Sequence, residues 1–127
     1  MTDVLRCDVA IIGAGTAGIA AERSARSNGA STLLIDPHFD GTLCANTGCM
    51  PSKLLIAAAE EAHRVRKAEM FGIRVEGVRI DGPAVMGRLR SERDRFARLT
   101  RESIAELPDE IRIEARARFL DRTGPGC

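Results

Sequence analysis

The stretch Cys7-Asp8-Val9-Ala10-Ile11-Ile12-Gly13-Ala14-Gly15-Thr16-Ala17-Gly18 decides the fold of this chain. Its first half, Cys7–Ile12, is short, apolar and β-branched, which predicts a buried parallel strand. Gly13-Ala14-Gly15 breaks that strand. From Thr16 to Asn28, Ala17, Ala20, Ala21 and Ala25 give a small-residue helical face, and Gly29 is placed to end the helix as its C′ residue. Ser31–Asp36 reads as a second buried strand. Strand, glycine turn, helix and strand follow one another in about 30 residues, the size of a βαβ unit.

The spacing G-x-G-x-x-G is weak evidence when it stands alone. Here it follows a predicted strand and opens a predicted helix, and Asp36 comes 18 residues after Gly18. Gly13 allows the tight turn, Gly15 lets the backbone approach a pyrophosphate, and Gly18 lets the helix pack close to the strand. The helix start, with Thr16 and Ala17 at its head, offers free N–H groups and a partial positive charge. Asp36 is placed to accept hydrogen bonds from an adenosine ribose. Its charge opposes a 2′-phosphate, so FAD or NAD fits better than NADP. The competing reading is a glycine turn that only packs a helix on a strand.

Composition narrows the classes. The chain has 127 residues, 44% hydrophobic and 29% charged, with a net charge of +1. It can build a core and is one domain or part of one. The charge excludes a strongly basic nucleic-acid module, and four Phe with no Trp or Tyr leave little surface for stacking bases. No apolar run is long enough to span a bilayer, so neither a nucleic-acid nor a membrane partner is expected. A cytoplasmic setting is the expectation, and close cysteines in a reducing compartment point to catalysis or metal binding.

Further along, the chain turns helical after Cys44 through Leu54, Leu55, Ala58, Ala62 and Val65. Phe71–Ile80 is expected to hold a short extended piece. Asp81 is a candidate N-cap with Pro83 in the first turn, and the helix that follows is expected to end at Pro108. Its arginines alternate with Glu92, Asp94, Glu102 and Glu106, an ordinary salt-bridged solvent face rather than an anion site. Ile111, Ile113, Ala115, Ala117 and Phe119 alternate with charged residues, a period-2 strand pattern.

Cys44-Ala45-Asn46-Thr47-Gly48-Cys49-Met50-Pro51-Ser52-Lys53 is the most informative stretch for chemistry. On a regular helix, cysteines five residues apart are separated by about 7.5 Å in rise. A disulfide needs a Cα separation of roughly 4.4–6.8 Å. A bridge therefore requires a distorted first turn, with Cys44 still in the loop and Gly48 supplying the freedom. A cysteine at a helix start also has a stabilised thiolate. Three readings compete: a redox pair, which is favoured; a zinc site, for which only His38 and His63 remain as further ligands; and two unrelated buried thiols. Both histidines read as surface residues.

These residues resemble the FAD-dependent pyridine nucleotide–disulfide oxidoreductases. That family carries a Rossmann glycine loop and then a signature like G-G-T-C-x-x-x-G-C-x-P-S-K. The matching residues run Gly41-Thr42-Leu43-Cys44 through Gly48-Cys49 to Pro51-Ser52-Lys53, with Leu43 departing from the usual Thr. The likeness covers Asp8 to about Leu120, and Cys49–Glu60 is most similar to the dihydrolipoyl dehydrogenase branch. Mercuric reductases, which also carry Pro-Ser-Lys, are the nearest alternative. A non-catalytic nucleotide-binding piece is another.

The resemblance implies an α/β, Rossmann-like FAD-binding fold over residues 1–121, with an unstructured tail at 122–127. It implies that Gly13, Gly15, Thr16, Ala17, Gly18 and Asp36 hold the adenosine diphosphate part of FAD, that Gly41 and Thr42 line the pyrophosphate, and that Ala117 contacts the adenine through its backbone. Cys44 would be the interchange thiol and Cys49 the flavin-side thiol of a redox disulfide, with Lys53 near the flavin N5. Electrons would pass from a lipoamide-like dithiol through the disulfide and FAD to NAD. Family members are homodimers. The NAD site would lie in a part missing here, so the chain reads as a fragment, inactive by itself.

Overall fold

Strands β1 (Val9–Ile12) and β2 (Thr32–Asp36) pair in parallel, in register from Val9↔Thr32 to Ile12↔Ile35. Strand β3 (Arg112–Glu114) joins the far side of β2 in parallel, from Leu34↔Arg112 to Asp36↔Glu114. The computed structural model describes residues 4–119. Its sheet order is β1-β2-β3, one flank of the classic doubly wound order. Helix α1 (Thr16–Ser27) makes the crossover from β1 to β2. Its chain end turns at Gly29, whose φ of 85° is the left-handed conformation expected of a C′ glycine. This is the Rossmann-like α/β fold expected from the sequence.

Two compact units divide the chain: residues up to Gly41 with those from Arg101 onward, and Thr42–Thr100. In the first, Ile11, Ala14, Leu34 and Ile104 form the buried core, with Ile19, Phe39 and Leu107 packed against it. Leu34, on the central strand, is wholly buried. The edge strand is less covered than its sequence predicts. Ile11 is buried, but Val9 is 36% and Ile12 56% exposed. Among the described residues β1 has a neighbour on one side only, so an apolar run written for two covered faces and two partners leaves part of itself in solvent. Cys7 lies ahead of the strand and is half-buried.

The strand predicted over 111–119 is only three residues long, and Ala117 falls outside it. The physical reason lies in its partner. The last ladder bond runs from the Ala115 N–H to the Asp36 carbonyl at 3.2 Å. The next N–H of the partner chain on that side belongs to His38, and it is turned onto the Asp36 carboxylate instead, at 3.0 Å. Period-2 alternation continues in the sequence after the partner has ended.

In the second unit, helices α2 (Leu43–Asn46) and α3 (Cys49–Arg66) are followed by a 3₁₀ turn at Ala68–Phe71 that stops at Gly72, φ 76°. His63, Arg64 and Arg66 occupy the last turn of α3, where positive charge suits the helix dipole. The extended piece expected in Phe71–Ile80 does not form. Among the described residues no strand pairs with it, and Ile73, Val75, Val78 and Ile80 are exposed. Helix α4 (Gly82–Ala105) starts as expected, with the Ala84 N–H donating to Asp81 Oδ1 at 2.9 Å. It stops three residues before Pro108, where the Leu107 N–H closes a tighter turn onto the Ile104 carbonyl and Leu107 turns into the core of the first unit. Arg95 pairs with Glu92 and Arg93 with Asp94, as expected of a solvated face. No helix among the described residues is long and apolar enough to cross a membrane. The tail expected at 122–127, Cys127 included, lies outside the described residues.

Candidate functional site

Within the first unit, the β1–β2 ladder runs on into the glycine loop. The Gly13 N–H donates to the Ile35 carbonyl at 2.7 Å, and the Ala14 N–H donates to Asp36 Oδ2 at 2.8 Å. Gly13 sits at φ 98°, a conformation that disfavours any side chain. Gly15 is the N-cap of α1 in extended conformation, with no side chain capping the helix and no acidic residue in its first turn. The first intrahelical bond is Ile19 N–H to Gly15 carbonyl, 2.9 Å. The N–H groups of Gly15, Thr16, Ala17 and Gly18 therefore have no acceptor within the helix.

Two glycines of this loop do different work. A Cβ built on Gly18 would lie 1.8 Å from the Gly13 carbonyl oxygen, so helix and strand are in backbone contact there. A Cβ built on Gly15 would meet nothing within 4 Å. The fold does not need glycine at 15, and the space beside that backbone is open. Free N–H donors, an uncompensated helix dipole and an open backbone are the donor set a pyrophosphate requires.

Asp36 closes the loop from the end of β2. Its Oδ1 accepts the N–H groups of His38 and Phe39 at 3.0 and 2.9 Å, while Oδ2 holds Ala14. Burial pushes this carboxyl up, but the three backbone N–H groups, with the charge of His38, outweigh it and hold it below the ordinary aspartate range. Phe39 stands at φ 51°, rare for a residue with a side chain. At the other end of the strands, Asp8 accepts the N–H and hydroxyl of Ser31, and these bonds lower its carboxyl as well.

The second unit carries the cysteines. Thr42 is buried, and its hydroxyl caps α2 by accepting the Ala45 N–H at 3.2 Å. Cys44 thus lies in a short helix rather than in the loop expected from its spacing. The chain then breaks between α2 and α3. Gly48 N–H donates to the Leu43 carbonyl at 2.8 Å, and a Cβ at Gly48 would stand 3.3 Å from Cys44 Cα. This close approach folds the first cysteine back over the start of α3. Both are free cysteines.

At the start of α3 the Cys49 thiol and the backbone N–H groups of Cys49 and Met50 act on the Cys44 sulfur in opposite directions. The thiol–thiol bond pushes Cys44 up, as do partial burial and the charge of Cys49; the two N–H groups pull it down, and the net displacement is upward. The helix start thus serves the sulfur of Cys44, whereas the sequence pointed to the cysteine that opens the helix.

Lys53 is exposed, one turn beyond Cys49 on α3. Gly41 adopts φ 92° just before Thr42. Ala117 is half-buried in irregular chain after β3. Among the predicted residues, the structure brings Gly13, Gly15, Gly18 and Asp36 together in the first unit and Cys44 and Cys49 together in the second.

Sequence reasoning missed Glu22. This carboxylate on α1 is 1% exposed, bonded to Arg26 at 2.7 Å and to the Thr32 hydroxyl at 3.3 Å. The i,i+4 spacing of Glu22 and Arg26 was the available signal, but nothing in it announced burial.

The parallel sheet, the crossover helix and the glycine loop define a Rossmann-like α/β fold. The chain belongs to the pyridine nucleotide-disulphide oxidoreductase family, whose profile matches residues 7–121. It is 42% identical over 100 residues to a dihydrolipoyl dehydrogenase of Chlamydia trachomatis serovar D, a match covering 76% of this chain and 22% of that relative. It is 39% identical over 94 residues to a mercuric reductase of Streptomyces lividans, covering 68% and 20%. A glutathione reductase of Yarrowia lipolytica is 40% identical over 72 residues, covering 57% and 15%. The chain thus spans about a fifth of the length of these curated relatives.

Proposed function

We propose that this chain is the FAD-binding, dithiol-bearing part of a dithiol–disulfide oxidoreductase of the dihydrolipoyl dehydrogenase type, working with NAD in the cytoplasm. The observation that carries the reading is the fold-back at Gly48, which brings Cys44 to the start of α3, where the Cys49 thiol acts on it. Two sulfurs within hydrogen-bonding reach of each other can form and break a bond with little chain movement.

In this reading the N–H groups at Gly15–Gly18 bind the pyrophosphate, with Gly13 shaping the turn and Asp36 at its edge. Gly41 and Thr42 line the pyrophosphate further on, Ala117 meets the adenine through its backbone, and Lys53 supplies a positive charge near the flavin. FAD, when bound, supplies the two-electron carrier between the thiol pair and NAD.

The exchange step belongs to the chain's own sulfurs. A substrate thiolate attacks Cys44 Sγ of a Cys44–Cys49 disulfide; the S–S bond breaks and Cys49 leaves as a thiolate. The second substrate thiol, deprotonated, then attacks the substrate sulfur of the mixed disulfide and releases Cys44. The substrate leaves as a disulfide, and both of its electrons stay on the cysteine pair. In this reading the N–H groups of Cys49 and Met50, which pull the Cys44 thiol down, receive the developing charge on its sulfur.

The NAD site and the homodimer contacts are assigned to parts of the relatives that this chain does not span. The 127-residue chain by itself is expected to show no dithiol:NAD turnover. A mercuric reductase-like activity is the second reading, favoured by the match to the Streptomyces lividans protein and by Pro51-Ser52-Lys53. Peptide mapping of the oxidised chain under non-reducing conditions, with FAD titration followed by flavin fluorescence, tests the proposal. A dominant Cys44–Cys49 bridge and saturable FAD binding are expected. A dominant bridge from Cys7 to either motif cysteine, or no FAD binding, would overturn it.

A further inference from the structure

Asp36 is placed by its spacing as a ribose acceptor, yet the structure finds its carboxylate already engaged. A carboxylate offers about four acceptor positions. Three are taken by backbone N–H groups, at 2.8 Å from Ala14, 3.0 Å from His38 and 2.9 Å from Phe39. These donors come from two separate segments: the glycine loop after β1 and the turn after β2.

The bond to Ala14 has a structural logic. Gly13 makes the last backbone bond to β2, through the Ile35 carbonyl. One residue later the loop lifts off the sheet, and the Asp36 side chain replaces the backbone as acceptor. Ala14 is itself 2% exposed, so its N–H would be stranded without that carboxylate. On the other side, the same carboxylate holds Phe39 in its left-handed conformation, and Phe39 packs on the core that contains Ala14.

We propose that Asp36 is also a positioning residue: its carboxylate clamps the glycine loop to the turn after β2, and so sets the line of N–H groups that receives a pyrophosphate, whatever its remaining acceptor position binds. The proposal rests on the dinucleotide reading above. Asparagine cannot reproduce the clamp. It has one acceptor oxygen, so its NH₂ group must face the N–H donors of one segment or the other.

The test compares wild type and Asp36→Asn in the full chain, with ADP and with 2′,3′-dideoxy-ADP, which lacks both ribose hydroxyls. The clamp predicts that the variant binds both ligands, the dideoxy nucleotide included, at least about tenfold more weakly. It also predicts that amide exchange at Ala14, His38 and Phe39 rises at least tenfold in the unliganded variant. A loss confined to ADP would overturn the proposal, because a direct ribose contact would then account for the whole effect. Unchanged exchange at Ala14 would overturn it as well. If the variant does not fold, the wild type decides: the Ala14 amide must be protected without ligand, and free exchange there refutes the clamp. Failure of wild type to bind either ligand would instead overturn the dinucleotide reading, with the exchange data still judging the clamp.

Discussion

Replacing Gly18 with alanine sets two known effects against each other. Gly18 lies in the first turn of α1. Helix propensity alone favours alanine there by about 1 kcal/mol. The added Cβ, however, would stand 1.8 Å from the Gly13 oxygen, 3.0 Å from the Gly13 carbon and 3.4 Å from Ile11 Cγ2. Comfortable carbon contacts lie at roughly 3.5–4.0 Å, so helix and strand would have to part by about 1.5 Å. The obstacle is backbone, and it is pinned by the Gly13 and Ala14 bonds to β2. Overpacking of this kind costs about 1–3 kcal/mol, occasionally more, and the depth of the clash puts it at the upper end. The net expectation is a loss of about 2 kcal/mol. Urea unfolding followed by far-ultraviolet circular dichroism, at equal protein concentration, measures it as a lower midpoint. A midpoint equal to or above wild type would refute the claim that helix and strand touch at Gly18.

Gly15→Ser should behave in the opposite way. It meets no protein atom, supplies a favoured N-cap residue and leaves stability within about 1 kcal/mol of wild type, yet it should weaken FAD binding at least tenfold in a fluorescence titration; equal affinity would remove Gly15 from the site. The Asp8 and Asp36 carboxyls are both held below their ordinary value, so their contribution is complete above the unfolded value of about 3.9 and is lost as pH falls through the lower folded values. Urea midpoints should drop below about pH 4, and Asp8→Asn with Asp36→Asn should flatten that limb; stability that rises on acidification would reverse the argument. Cys49→Ala removes the thiol whose hydrogen bond and charge raise Cys44, while the N–H groups of residues 49 and 50 remain. The Cys44 pKa should therefore fall and its alkylation by iodoacetamide at pH 7.5 should quicken; an unchanged rate profile would show that the thiols do not meet. Glu22→Ala should destabilise by about 1–3 kcal/mol, since it strands the buried Thr32 hydroxyl, and a loss under 0.5 kcal/mol, the scale of an exposed ion pair, would contradict the burial.

Local patterns carried most of what the sequence determined by itself. The βαβ order, the turn at Gly13–Gly15, the helix end at Gly29 and the cap at Asp81 depend on neighbours a few residues away, and all four stand in the structure. The contact that requires Gly18 follows from the same short-range logic. Tertiary structure decided what depends on distant partners. The alternation over 111–119 gives only a three-residue strand, because β2 ends at Asp36 and the next N–H on that side, from His38, bonds the Asp36 carboxylate. The apolar Ile12 is exposed, because its strand has one neighbour among the described residues. The charged Glu22 is buried, because Arg26 and Thr32 converge on it. At the thiols, the sequence marked the two cysteines, but only folding α2 back across Gly48 brought the Cys44 sulfur to the start of the helix that Cys49 opens. Spacing names the residues that can share a turn, whereas burial, pairing and the direction of a hydrogen bond belong to chain segments that meet only in three dimensions.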